Sequence, residues 1–377
     1  DLHSFPTRRS SDLVSYNSYL IVDEQVALID PVEPEFMAQY MFQIKHILGD
    51  RKVDYLIVNH DEPDHSGSVG AVLREWPEVT VVGNAKTFAP LENFYGEIAN
   101  KKIVAEGETL SLGNHTLQFF MAPMCHWPES MVTYEQTSKI IFTNDAFGGF
   151  GALNGGIFDD EVNLDYYEND MRRYYANIVG KVAMMALKTI QKAQTLDIKM
   201  IAPSHGLIWR SNLQWVIDRY TAWSQHKGEE GVVIVYGSMY GNTGRMADIV
   251  ARGVADAGVK EIKVYDVSKT ETSFIFSDIW RYKGMILGAC SHYGSIFPNM
   301  TGLLHELAEY KPQNKVVGLF GGASWSGGGL KTLKENAEAC KWNVVGEPVE
   351  VKGAPIREED IEKLYNLGLE IGKSVKN

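Results

Sequence analysis

Short apolar runs bounded by polar clusters dominate the first part of the chain, and each predicts a strand. Tyr19-Leu20-Ile21-Val22 and Val26-Ala27-Leu28-Ile29 flank the polar turn Asp23-Glu24-Gln25, which predicts a hairpin over residues 16–30 ended by Asp30-Pro31. Met37, Met41, Ile44 and Ile47 recur at helical spacing and predict a helix from Pro34 to Leu48. A strand over 53–58 follows. A helix capped by Ser66 or Ser68 then runs through Val69–Leu73, and a further strand lies at Thr80–Val82. Ile103-Val104 and the alternating region from Leu110 to Phe120, with a turn at Gly113-Asn114, continue the strand pattern. Three later strands are expected at Leu117–Met121, Lys139–Phe142 and Ile198–Ile201. Between the last two, residues 164–193 read as one long helix or two shorter ones. A helix carrying Leu213, Val216, Ile217 and Tyr220 closes this part.

The polar stretch Gln225–Glu230 marks a boundary, after which strand and helix alternate. Strands are expected at Val232–Val235, Ile262–Tyr265, Met285–Leu287, Val316–Phe320 and Val344–Val351. A helix through Met246, Ile249 and Val250 and a closing helix from Glu358 complete the series. That alternation predicts a parallel, doubly wound sheet, which binds ligands beyond the carboxyl ends of its strands at the topological switch point. The expected organisation is a segment 1–13 without apolar period, read as a disordered or foreign leader, then domains over 14–228 and 229–377.

Composition narrows the function classes. The chain has 377 residues, enough for about two domains. No apolar run approaches the roughly eighteen residues of a membrane span, and no secretory signal is recognisable. The net charge of -12 argues against a nucleic-acid partner, which needs a basic surface. Cys125, Cys290 and Cys340 are widely spaced and form no CxxC pair, which fits a cytoplasmic location.

The residues just past the strands carry the chemistry. Strand 53–58 runs into His60-Asp61-Glu62-Pro63-Asp64-His65, two imidazoles and three carboxylates around a stiffening proline. Strand 117–121 leads to His126, strand 139–142 to Asp145 and strand 198–201 to His205. Seven candidates, His60, Glu62, Asp64, His65, His126, Asp145 and His205, exceed what one tetrahedral ion uses. They suit two ions with Asp145 as bridge, His60, Glu62 and His126 on the first and Asp64, His65 and His205 on the second. Asp61 is expected to face outward, and His46, His115 and His305 to be surface residues.

On these residues the chain resembles the metallo-β-lactamase fold, whose hydrolases usually carry HxHxDH for two zinc ions. Here the motif is HxExDH, with Glu62 in place of the second imidazole, and a carboxylate is the harder ligand, suited to iron. HxExDH followed by distant His, Asp and His resembles the signature of the flavodiiron proteins, as do the flanking runs Trp127–Met131 and Asp145–Gly148. The resemblance runs from about Tyr16 to the C-terminus. It implies an N-terminal metallo-β-lactamase-like αββα sandwich holding two non-haem iron ions and a C-terminal flavodoxin-like domain. It also implies a first strand in native sequence that the opening residues replace.

The second half offers matching loops. After strand 232–235 come Ser238, Met239, Tyr240, Gly241, Asn242 and Thr243, then a helix. Hydroxyls, a glycine and a helix N-terminus make a phosphate cradle. After strand 285–287 come Ser291, His292, Tyr293 and Gly294, and after strand 316–320 come Ser324, Trp325, Ser326 and Gly327. Tyr293 and Trp325 can stack on a flavin ring, which with the resemblance points to FMN. His292 has no assigned role, and Cys290 reads as a small packed residue rather than a redox thiol.

The resemblance implies an oxidoreductase in which an external donor reduces FMN and FMN reduces the diiron site. That site would turn nitric oxide into nitrous oxide, dioxygen into water, or both. Rubredoxin is the expected partner, with a reduced deazaflavin as the alternative. A head-to-tail homodimer or a homotetramer is expected, since in the family one chain's flavin serves the other chain's irons. The competing readings are a dizinc hydrolase fused to a flavodoxin module, and a flavin electron carrier whose metal half is structural.

Overall fold

The alternation of buried side chains along the first strands accounts for the architecture of the N-terminal half. In the computed structural model, which describes residues 13–153 and 155–376, the chain forms two compact units, Asp1–Thr221 and Ala222–Asn377. The first twelve residues, most of the expected leader, lie outside the described residues. Leu13 is described, and its carbonyl accepts from Gly151 N (2.8 Å).

The first sheet joins β1 (Tyr19–Val22), β2 (Val26–Ile29), β3 (Tyr55–Ile57), β4 (Thr80–Gly83) and β5 (Lys101–Ile103) in that order, with β1 antiparallel and the rest parallel. Val26, Leu28, Leu56 and Val81 face an apolar layer shared with α1 (Met37–Leu48), α3 (Val69–Glu75) and α4 (Phe88–Tyr95); the one-turn α2 (Pro63–Ser66) precedes α3. Their neighbours Ala27, Ile29, Ile57 and Val82 point to the opposite face, as a two-residue period requires. There they meet a second sheet of β6 (Thr109–Ser111), β7 (Thr116–Met121), β8 (Met131–Glu135), β9 (Ile140–Asn144) and β10 (Met200–Pro203). That sheet supplies Leu117, Phe119, Met131, Phe142 and Ala202 to the shared core. It is antiparallel except for β9 and β10. Helices α5 (Leu164–Tyr174), α6 (Ala183–Ala193) and α7 (Leu213–Ser224) follow, so the long helical stretch is two helices, separated by a π turn and a 3-10 turn.

The second unit is the doubly wound sheet the alternation predicts. Its order is β12 (Ile262–Asp266), β11 (Glu229–Gly237), β13 (Tyr282–His292), β15 (Val316–Ala323), all parallel. The expected strand over 344–351 is two pieces, β16 (Asn343–Val344) and β17 (Val349–Lys352), which pair with opposite ends of β15. β14 (Ser295–Ile296) folds back on β13. Val232, Ile234, Ile286 and Phe320 pack under α8 (Asn242–Asp256) and α12 (Glu358–Lys376). On the other face Gly237 abuts α10 (Pro298–Tyr310) and Gly321 abuts α11 (Gly329–Ala339), while α9 (Thr272–Arg281) precedes β13. Both faces are covered, which is why Val232–Val235 is an unbroken apolar run with no polar alternation. Among the described residues no helix is long and apolar enough to cross a membrane.

One buried cation lies in this sheet. Lys315, 4% exposed, precedes β15 and donates from Nζ to the Tyr282 carbonyl (2.7 Å). Burial pushes its ammonium down to about 7. The unfolded chain therefore holds this proton more tightly, so stability should rise with pH from about 7 towards the ordinary lysine range near 10.4. Lys315→Met is expected to flatten that rise, read as the urea midpoint of the second unit at pH 7, 8.5 and 10. An unchanged slope would refute it.

Candidate metal and flavin sites

A buried hydrogen-bonded strut sets the geometry of the loop that carries most of the acid and imidazole. Asp30, just past β2 at φ 45°, accepts from Asn59 N (2.7 Å) and Asn59 Nδ2 (2.9 Å). Asn59 in turn accepts Thr133 Oγ1–H at Oδ1 (2.7 Å) and Met131 N–H at its carbonyl (2.9 Å). The strut ties the ends of β2 and β3 in one sheet to β8 in the other, and His60 is the next residue. Glu62 then precedes Pro63, whose fixed φ starts α2, and that single turn presents Asp64 and His65.

The other three residues arrive from the second sheet. Asn144 ends β9 at φ 44°, donates from Nδ2 to the Met131 carbonyl (2.9 Å) and leaves Asp145 buried. Ser204 N donates to the Asn144 carbonyl (2.7 Å), which places His205 beside it. His126 comes from the loop between β7 and β8.

All seven residues converge, in two groups. His60 Nε2 and His126 Nε2 lie 3.3 and 3.0 Å from Asp145 Oδ2, and 3.2 and 3.0 Å from Glu62 Oε2. His65 Nε2 and His205 Nε2 lie 2.9 and 3.3 Å from Asp145 Oδ1, and 3.4 and 3.2 Å from Asp64 Oδ2. Each oxygen of one carboxylate thus serves one group. His126 Nε2 and Asp145 Oδ2 are buried without a hydrogen-bond partner, although they stand 3.0 Å from each other. These atoms are close without pointing at one another. Nitrogen and oxygen ligands roughly 2.0–2.2 Å from a shared ion stand about 3 Å apart in this way. The donor set therefore fits two metal ions.

Electrostatics point the same way. Burial disfavours the imidazolium of His126 and of His205, yet Asp145 with Glu62 or Asp64 outweighs it and pushes them up to about 9 and about 10. Burial raises Glu62, but His126 and His60 take it down to about 2. Desolvation likewise opposes ionised Asp145, and the surrounding imidazoles, His65 foremost, hold it well below the carboxylate range. The cluster is anionic and demands compensating positive charge, which protons or metal ions can supply.

Several contacts here were not legible from the chain. Tyr174 donates its hydroxyl to Asp145 Oδ1 (2.8 Å). Glu129, 3% exposed, sits behind His60 with Oε1 2.8 Å from Nδ1. Trp127 packs edge-on against His60 (5.2 Å) and Tyr16 against His205 (5.4 Å). The strand β8, which seats this corner, gives only a short mixed run and was not anticipated. Asp61 does not face outward: it is fully buried, with both carboxylate oxygens unpartnered. Its N–H is fixed to Glu129 (3.1 Å), and burial first, Glu129 next, push its carboxyl up to about 8.

In the second unit the expected segments lie at the carboxyl ends of β11, β13 and β15, the three central strands around the switch point. Ser291 and His292, expected in a loop, are the last residues of β13 and pair with β14. Ser238 Oγ accepts from Gly241 N (3.0 Å), and Gly241 at φ 84° starts α8 with no side-chain cap. The first N–H groups of α8 are thereby left for an anion. Thr243 is buried at the base, while Met239 and Tyr240 are exposed. The other two loops touch. Gly329 N donates to Ser291 Oγ (3.0 Å), and a Cβ on Gly328 would lie 2.3 Å from the Gly294 carbonyl oxygen. Tyr293 (85% exposed) and Trp325 (79%) present bare rings from these loops, with His292 edge-on to Tyr293 at 4.6 Å. Ser324 and Gly327 are exposed, Asn242 and Ser326 half-buried. An uncapped helix start flanked by exposed rings fits a phosphorylated aromatic such as FMN.

A pair of buried ligand groups at the lip of a β-lactamase-like sandwich, in one chain with a flavodoxin-like sheet, defines a two-centre redox class. Comparison with known proteins agrees. Residues 14–206 match the family model of the ODP family beta lactamases and residues 234–365 that of flavodoxin. A nitric oxide reductase of Moorella thermoacetica is 34% identical over 99% of this chain and 93% of its own length. The rubredoxin oxygen:oxidoreductase of Desulfovibrio gigas superposes with a TM-score of 0.93 at 31% identity, over 97% of this chain and 91% of that one. The flavodiiron protein of Giardia intestinalis gives 0.93 at 28% identity, over 99% and 92%. The chain belongs to the flavodiiron proteins.

Asn59→Ala tests the strut. It strands Asp30 Oδ2 and Thr133 Oγ1, at about 1–3 kcal/mol for each buried group left unpaired. A drop of that size in the first unit's stability by chemical denaturation, with the second unit's transition unmoved, is expected. No drop would show the strut to be incidental.

Proposed function

We propose that this chain reduces nitric oxide to nitrous oxide, dioxygen to water, or both. His60, Glu62, His126 and Asp145 would hold one iron, and Asp64, His65, His205 and Asp145 the other. FMN would sit on Ser238–Thr243, Ser291–Gly294 and Ser324–Gly327. Residues 14–228 are assigned to the diiron half and 229–377 to the FMN half. The observation that carries the proposal is the use of both Asp145 oxygens by two equivalent groups, with a carboxylate, Glu62, where hydrolases of this fold have an imidazole.

Bound FMN supplies single electrons, and a diiron pair supplies redox equivalents and open positions for a small gas. The chain's own residues determine orientation and access. His60, His65 and Asp145 are sealed, whereas Glu62 and Asp64 are 35% and 27% exposed in their side chains, so a gas reaches the cluster from the carboxylate side. Trp127 and Tyr16 pack edge-on against the His60 and His205 rings and restrict their rotation. Tyr174, a phenol that burial holds protonated, fixes Asp145 through its hydroxyl.

The electron donor is proposed to be rubredoxin, the protein for which the Desulfovibrio gigas relative is named. A chain of Escherichia coli that is 32% identical over 88% of this one is named a flavorubredoxin, and this chain covers 70% of its length. A head-to-tail homodimer or a homotetramer, in which one chain's flavin serves the other's irons, and a cytoplasmic location complete the proposal.

Anaerobic reduction followed by separate titration with nitric oxide and dioxygen tests the activity. Consumption of at least one gas is expected, and Asp145→Ala should abolish it. If the reduced, cofactor-replete protein consumes neither gas, the proposal fails. Metal analysis is expected to give about two iron per chain, and two zinc without iron would favour the hydrolase. Glu62→His should weaken iron retention and gas consumption while FMN content stays unchanged. Loss of FMN with iron retained would contradict the assignment.

A further inference from the structure

The two ligand groups are matched atom for atom: each has two imidazole Nε2 atoms, one carboxylate of its own and one oxygen of Asp145. They differ at the bridge, where the Tyr174 hydroxyl donates to Asp145 Oδ1 (2.8 Å) on the side of His65 and His205, and in what stands behind the imidazoles. Behind His60 stands an anion, Glu129, whose Oε1 accepts Nδ1–H at 2.8 Å. Behind His205 stands a neutral group, the Ser15 carbonyl, at 2.7 Å. Glu129 is well fixed. It is buried, Asp61 N donates to the same Oε1 (3.1 Å), and its backbone carbonyl accepts from Asn84 Nδ2. Asp61, also buried, adds a second carboxyl nearby.

We infer that Glu129 is a positioning residue that makes the two halves of the diiron site unequal, by holding His60 as the Nδ1–H tautomer and raising the donor strength of its Nε2. The inference rests on the diiron reading above. A hydrogen bond from a ligating imidazole to a carboxylate fixes ring and tautomer and makes the metal-facing nitrogen more basic, and losing such a partner costs about 10–100-fold in metal affinity. A carbonyl fixes the tautomer without supplying charge. The His60, Glu62 and His126 half is therefore the tighter iron site and the one that better tolerates the higher oxidation state.

The test uses the iron- and FMN-loaded full chain. Iron release to a chelator is followed in time, and ferrous Mössbauer spectra are recorded for the wild type, Glu129→Gln and Glu129→Asp. His126→Ala, which removes a ligand from one half alone, identifies that half's release phase and doublet. Glu129→Gln keeps an acceptor oxygen and loses the charge. It is expected to speed release from that half by about 10–100-fold and to shift one doublet, with the other phase, the other doublet and the circular dichroism unchanged. Equal acceleration of both phases, or of neither, overturns the inference. If the Gln variant does not accumulate, Glu129→Asp, which keeps the charge at shorter reach, must show the same half-selective effect at smaller size, and an unselective effect overturns it. A wild type that takes up no iron fails at an earlier step and overturns the diiron reading, and this inference with it.

Discussion

Everything in the N-terminal half is arranged around one buried carboxylate, Asp145, whose two oxygens must each meet two imidazoles. An isolated buried carboxylate is costly, and here four histidines, together with the Tyr174 hydroxyl at Oδ1, offset the cost. The constraint reaches outward. The imidazoles converge only if the ends of β3, β9 and β10 and the loop after β7 meet at one lip of the sandwich. The Asp30–Asn59–Thr133 strut and the Asn144 contacts to Met131 and Ser204 hold those ends together with hydrogen bonds that do not depend on a metal. The scaffold is thus set by protein contacts, and the cluster inherits its geometry.

Much of this was legible in the chain, for a physical reason. A residue just past a buried strand has its position fixed by the strand, so His60, His126, Asp145 and His205 could be read as neighbours from four apolar runs. Glu62 was informative because ligand hardness is a property of the residue type and needs no coordinates. The alternation of strand and helix after residue 228 likewise fixed the doubly wound sheet and, through its switch point, the three loops that gather there.

What could not be read depends on contacts between segments distant in the chain. Glu129 lies 69 positions from His60 and Tyr174 lies 29 from Asp145; Glu129 falls within the run Trp127–Met131, but nothing in that run ties it to His60. Asp61, a polar residue among ligands, has the sequence character of a solvated turn, and only the fold shows that it is buried. Its burial follows from Glu129, which takes its N–H and draws the loop inward. The strand β8 escaped notice because Met131–Glu135 is buried on both faces and mixes Thr, Tyr and Glu with apolar residues, so it shows neither alternation nor an apolar run.

The spread of the ligand set along the chain also orders the protein's birth. From His60 to His205 is about 145 residues, which at roughly 5–20 residues per second takes roughly 7–30 s to synthesise. Throughout that interval the nascent chain displays HxExDH without its closing partner, and β10, which leads to His205, is the last strand of its sheet to emerge. The two groups are thus completed at different times: the first closes when Asp145 emerges, and the second waits about 60 residues more for His205.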